Sequence, residues 1–209
     1  MDGTAAQPLA HSLLRERTRA AHDAAEATAG MRALMSGAMD EAGYVELLAA
    51  QLRLFHAWEA ERAADIEAVA AVWPYASRIP PLAADIVGAH PVGDIFRDNA
   101  AGPVMSPRKM SPTGWAPTAV DAAFWGELYV IEGSTLGGQV IVRHLRERFP
   151  HLPHAFYALG EHAPGRWRRF QQVLDEALAT DAHQQLAIAG AQRMFARFQR
   201  TLQDPGHHV

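Results

Sequence analysis

Leu128-Tyr129-Val130-Ile131-Glu132-Gly133-Ser134-Thr135-Leu136-Gly137-Gly138-Gln139-Val140-Ile141 reads as helix, yet it holds three glycines where a helix interior favours none. Each mid-helix glycine costs roughly 1 kcal/mol relative to alanine, so the set costs about 3 kcal/mol. Residues four apart share a helix face, which stacks Gly133 above Gly137 and puts Gly138 beside them. A stripe without Cβ atoms lets a second object lie against the backbone. That object is either another helix or a flat ligand, and the glycines alone favour helix packing.

The chain around this stretch has 209 residues, about half of them hydrophobic, and no linker-like shift of composition in its middle. It reads as one domain over 11–203, with flexible tails at 1–10 and 204–209. No run is long enough to span a bilayer. The start, Met1-Asp2-Gly3-Thr4-Ala5-Ala6-Gln7-Pro8, lacks the basic and apolar regions of a signal peptide, so a cytoplasmic location is expected. The absence of cysteine excludes disulfides, thiolate metal sites and cysteine nucleophiles. A formal charge of −4 without a dense basic stripe argues against a nucleic-acid partner.

The fold class is all-α, since no period-2 run bounded by turn signals occurs. A first helix is expected over about Ser12 to Thr28, and a short segment over Met31–Gly37. Asp40 should cap a long helix reaching Ala70, with Tyr44, Leu47, Leu48, Leu52, Phe55, Trp58 and Ile66 on its buried stripe. Short helices fit near 82–89 and 93–99. Ala100–Pro117 holds four prolines, two glycines and two serines and reads as a loop. Thr118 with Asp121 resembles a capping box for the glycine helix, which should end near Phe149. Two more helices should cover about 165–179, with Pro164 at its start, and 181–203, capped by Thr180 or Asp181.

On the first helix Arg15, Thr18, His22 and Glu26 follow intervals of three and four and line one face. His22 lies in an alanine-rich segment that a flat ligand can approach. Glu26, one turn on, could accept the Nδ1–H of His22 and leave Nε2 for a metal, the usual support of a ligating histidine. Taken alone, a surface Glu–His pair explains this as well. His56 is the main rival ligand, while His144, His151, His154, His162 and His183 look solvated.

Together these stretches resemble the heme oxygenases. The proximal signature is similar to Leu14-Arg15-Glu16-Arg17-Thr18-Arg19-Ala20-Ala21-His22-Asp23-Ala24-Ala25-Glu26, followed by Met31-Arg32 and Gly37. The distal one is similar to Glu132-Gly133-Ser134-Thr135-Leu136-Gly137-Gly138-Gln139-Val140-Ile141, in a form most like bacterial enzymes that accompany biliverdin-binding phytochromes. The resemblance implies a single-domain helical fold with heme b between the first helix and a kinked glycine-rich distal helix. Heme would be substrate and prosthetic group together. O2 and electrons from a reductase or ferredoxin-type donor would convert it to biliverdin, CO and Fe2+, with a phytochrome as consumer of the product. The alternative is a heme carrier or sensor of the same fold without turnover. A carboxylate-bridged metal pair would need Glu-x-x-His motifs, which the chain lacks.

By position, the resemblance makes His22 the axial iron ligand and Glu26 its hydrogen-bond partner, and places Arg15 on a propionate. Gly133 and Gly137, with Gly138, form the distal surface. Arg143 matches a basic position of relatives, and Phe195 matches a pocket wall. Ser134 departs from the family's animal members, which carry an Asp there to order the water that delivers protons. A hydroxyl can donate and accept but is no carboxylate base. A second departure follows Tyr157, where relatives hold the other propionate with basic residues; that role passes to Arg166, Arg168 or Arg169, or is absent.

Overall fold

The computed structural model describes residues 9–89, 120–162 and 165–203. The expected helix near 93–99, the loop at 100–117, Thr118, Pro164 and the two outermost tails, 1–8 and 204–209, lie outside them. Among the described residues the regular structure is helical throughout. In chain order the helices are α1 (Ala10–Glu26), α2 (Ala29–Met35), α3 (Glu41–Glu61), α4 (Ala63–Val69), α5 (Ile79–Ala89), α6 (Ala122–Arg148), α7 (Arg166–Ala177) and α8 (Asp181–Gln203). A 3₁₀ turn at Leu159–His162 precedes α7. None of these helices is long and apolar enough to cross a membrane.

Local chemistry accounts for the boundaries. Asp40 caps α3 by accepting from Gly43 N at 2.9 Å, and Thr180 Oγ1 accepts from His183 N at the start of α8. Asp121 caps α6 through Ala123 N at 2.9 Å, so the cap is Asp121 itself. Gly37, at φ 73°, turns the chain after α2 in the left-handed region open to glycine. Pro80 and Pro81 fall in the first turn of α5, where a missing N–H costs nothing, so that helix begins three residues earlier than expected. Likewise α1 begins at Ala10, inside the expected tail, and Ala10 is buried.

The long helix expected over 40–70 is two helices. Arg62 leaves helical geometry at φ −105°, ψ 13° and caps α4. Its guanidinium reaches Glu127 on α6 through Nε at 2.8 Å and Nη2 at 2.7 Å, and Asp65 through Nη1 at 3.3 Å. Helix periodicity carries no record of so long-range an anchor.

The core is built on α6. All residues from Ala122 to Leu128 are buried, and the helix packs chiefly on α8, which packs in turn on α1. Trp58 stacks on Phe124 at 5.9 Å, and Trp73 meets Phe170 edge-on at 5.0 Å. Where α6 and α8 cross, backbone lies on backbone. A Cβ on Gly126 would stand 1.8 Å from Ala187 O, and one on Gly190 would stand 2.0 Å from Ala123 O. These two glycines, outside the stripe read from sequence, are the ones that the α6–α8 crossing requires. Gly126→Ala should therefore destabilise the fold by about 3 kcal/mol, the upper range of overpacking, seen as a lower urea midpoint at unchanged m value.

Candidate functional site

Between α1 and α6 lies a cavity of about 740 Å³, a size typical of sites for cofactor-sized molecules. His11, Arg15, Thr18, Arg19, His22, Asp23 and Glu26 border it from α1, and Gly133, Ser134, Gly137 and Gly138 from α6. Phe195, Phe198 and Leu202 of α8 and Val130 and Ile141 of α6 add apolar wall.

The glycines separate by what lies above them. A Cβ on Gly137 would meet nothing within 4 Å, and one on Gly133 would touch only the Trp167 ring, at 3.4 Å. A Cβ on Gly138 would instead come within 2.9 Å of Tyr157 O. Close packing thus explains Gly138, whereas Gly137 presents bare backbone to open space and Gly133 lies beside the Trp167 ring with room for little more than a Cβ. Ser134 also borders the cavity, but its Oγ donates to Ile131 O at 2.8 Å. Its proton is thereby held by the helix backbone.

His22 is half exposed and stands edge-on to Phe195, with ring centroids 5.9 Å apart. Its ring is turned differently from the expected arrangement. Nε2, not Nδ1, faces Glu26 Oε1, at 3.7 Å, while Nδ1 faces Asp23 Oδ1 at 3.6 Å. Both distances exceed a hydrogen bond. A carboxylate four residues on rises beside the far ring nitrogen, and Nδ1, close to its own backbone, meets the next residue. Asp23 is therefore a second candidate partner that the sequence reading passed over. Among the described residues, His22, Asp23 and Glu26 form an exposed group whose ligand atoms lie within 4.8 Å of one another.

Arg15 borders the cavity near Tyr129, whose phenol is pushed up by burial and opposed by the Arg15 charge. Arg19 and His11 join it on the same helix. His11, unnoticed in the sequence, has its Nδ1 2.7 Å from Asp175 Oδ2, while its backbone N donates to Asp175 Oδ1 at 2.9 Å. Its position one turn before Arg15 was the available signal.

Other expected residues lie elsewhere. Arg143 is exposed, off the cavity, and its Nε donates to Gln139 O. Six residues from Gly137 is 600° around a helix, which brings it to a different face. Arg166 is held by Glu132 through Nε and Nη2, both at 3.0 Å, and lies over the Trp73 ring at 4.3 Å. Arg168 and Arg169 are exposed, and α7 offers the cavity Trp167 and Gln171 instead. No basic residue of α7 borders it. His56 is exposed on α3 away from the cavity, which removes the rival ligand. His154, expected to be solvated, is buried between Tyr44 Oη at 3.1 Å and Phe149 O at 3.0 Å, and burial lowers its pKa. His144 Nε2 is also buried.

A slot with bare backbone on one wall, an imidazole on the other and cations along α1 suits a flat, largely apolar ligand with a metal centre and an anionic edge. The comparisons agree with that geometry. The family model described as heme oxygenase matches residues 8–204. A heme oxygenase of Xanthomonas campestris pv. campestris (strain 8004) is 41% identical over 177 residues, covering 82% of this chain and 96% of its own. The structure of heme oxygenase from Leptospira interrogans superposes with a TM-score of 0.69, covering 94% of this chain and 100% of that one. At 18% identity it speaks for the fold alone. A family match over nearly the whole chain, beside a relative of this similarity, makes the assignment: the chain belongs to the heme oxygenase family.

Proposed function

We propose that this protein cleaves heme b oxidatively to biliverdin, CO and Fe2+, using O2 and electrons from an external reductase or ferredoxin-type donor. The observation that carries the reading is the open backbone surface over Gly137, with Gly133 one turn before it, in the same cavity as His22. Bound heme supplies the iron that activates O2 and the porphyrin carbon that is attacked.

The chain's own residues orient and enclose the substrate. His22 would hold the iron through an imidazole nitrogen, a donor that supplies less electron density than a thiolate. Nδ1 faces Asp23 and Nε2 faces Glu26, so whichever ring nitrogen binds the iron would leave the other for one of these carboxylates, and that bond would hold the ring. Gly133 and Gly137 would keep the opposite wall low and leave room for a small gas beside the substrate. Arg15, with Arg19 along α1, would pair with propionates. Phe195 braces the His22 ring. The resemblance of the Glu132–Ile141 stretch to phytochrome-linked enzymes supports a biliverdin-binding phytochrome as consumer.

An absorbance time course of the hemin complex with reductant and O2, with chromatography of the product, tests the reading. Loss of the Soret band with appearance of biliverdin is expected. A Soret band that persists would leave a heme carrier or sensor in its place.

Three substitutions probe the roles. His22→Ala should cut turnover by more than the roughly 10–100-fold that loss of an outer-shell partner costs, with an altered Soret spectrum. Gly137→Leu should fill the distal space and weaken hemin binding about tenfold or more, measured by titration. Ser134→Ala should slow conversion only about two- to threefold, because its hydroxyl already serves the helix backbone.

A further inference from the structure

The cavity has a buried polar pair that none of these roles uses. Gln51 of α3 is 3% exposed and Tyr157, in the segment after α6, is 6% exposed. Both border the cavity. They meet across 106 residues of sequence, Gln51 Nε2 donating to Tyr157 Oη at 2.8 Å and also reaching Leu47 O at 3.3 Å. Around them the walls are apolar, with Val130, Ile141, Phe156 and Phe198.

Donor and acceptor arithmetic shows what the pair has left. A phenol oxygen that accepts one bond still has its own O–H to give, and an amide that donates still has its carbonyl lone pairs. Leaving such a buried group unmet costs about 1–3 kcal/mol, so both turn to water in a cavity with ample room for it. Burial pushes the Tyr157 phenol up to about 12, so at neutral pH it remains a donor. Tyr157 is also fixed against the distal helix by the contact of its carbonyl with Gly138. Ser134 contrasts on each count, being exposed and having its proton on Ile131 O.

We propose that Gln51 and Tyr157, more than Ser134, order the water that carries protons to the distal side of the cavity. Tyr157 Oη–H donates to that water and Gln51 Oε1 accepts from it. Neither touches the reacting atoms; both are positioning residues, and the protons come from solvent along the water. The inference rests on the proposed heme cleavage and names the polar group that the Asp-to-Ser departure leaves unassigned.

Tyr157→Phe removes one oxygen and keeps the ring, and Gln51→Leu removes the amide at similar volume. Each variant is loaded with hemin, checked for parental Soret band and thermal midpoint, and run with reductant in H2O and D2O while peroxide is assayed. Hemin affinity should be unchanged. Biliverdin per electron consumed should fall about three- to tenfold, the loss of one hydrogen bond. The missing electrons should leave as H2O2, each O2 taking two electrons from the reductant and two protons from solvent. The solvent isotope effect should change as well. Independently of turnover, the C–O stretch of the ferrous CO complex should move to higher wavenumber as a distal donor is lost. Variants that match the parent in coupling, isotope effect and C–O stretch overturn the inference, as does a larger coupling loss in Ser134→Ala than in Tyr157→Phe. Should Gln51→Leu not fold, Tyr157→Phe decides. Conversion by the parent with unaffected variants overturns this inference alone, whereas a parent that leaves hemin intact overturns the functional reading and this one with it.

Discussion

Glu132 is a carboxylate 2% exposed on the central helix, and the geometry of the cavity depends on its being satisfied. Removing the partners of a buried charge costs about 3–5 kcal/mol, so groups that can pair with it are drawn in. Trp73 Nε1 donates at 3.2 Å, Arg166 donates through two nitrogens at 3.0 Å, and Arg78 Nη2 lies 3.4 Å away. Those partners come from the segment before α5 and from the first turn of α7. One carboxylate therefore ties two parts of the chain to one face of α6. Gly133 is the next residue, about 100° further round. Once Glu132 is held, the direction of the glycine face is set.

Glu127, five residues earlier, repeats the device. It accepts from Trp58 Nε1 at 3.0 Å and from Arg62, with Arg193 Nη2 3.6 Å away. The two acids bind α6 to α3, α7 and α8, while Gly126 and Gly190 let α6 and α8 come into backbone contact. A helix gripped this way can leave part of its surface bare. The open backbone above Gly137 is bought by satisfied charges on the other faces.

The site shows which properties of a residue survive translation from sequence. Helical spacing put His22, Glu26 and Arg15 on one face of α1 and Gly133 and Gly137 on one stripe of α6, while only the family resemblance implied that the two faces meet at one cavity. The nitrogen of His22 that faces Glu26 could not, since it depends on ring rotation among Asp23, Glu26 and Phe195. Arg166 looked like a free cation at the right point of the chain, yet its charge is used by Glu132. Arg143 looked well placed by its distance from Gly137, and helical phase carries it away.

Sequence alone determined the all-α class, most helix limits to within a few residues, and a face of α1 and a stripe of α6 with unusual chemistry. These follow from local rules of capping, period and propensity, which act within a few residues. Tertiary structure decided what each glycine is for. Gly138 meets a carbonyl, Gly137 meets open space, and Gly126, outside the motif, meets α8. It also decided that Arg62 would break a helix and that Gln51 would find Tyr157. Each of these depends on a partner tens of residues away, and local patterning does not encode where that partner will stand.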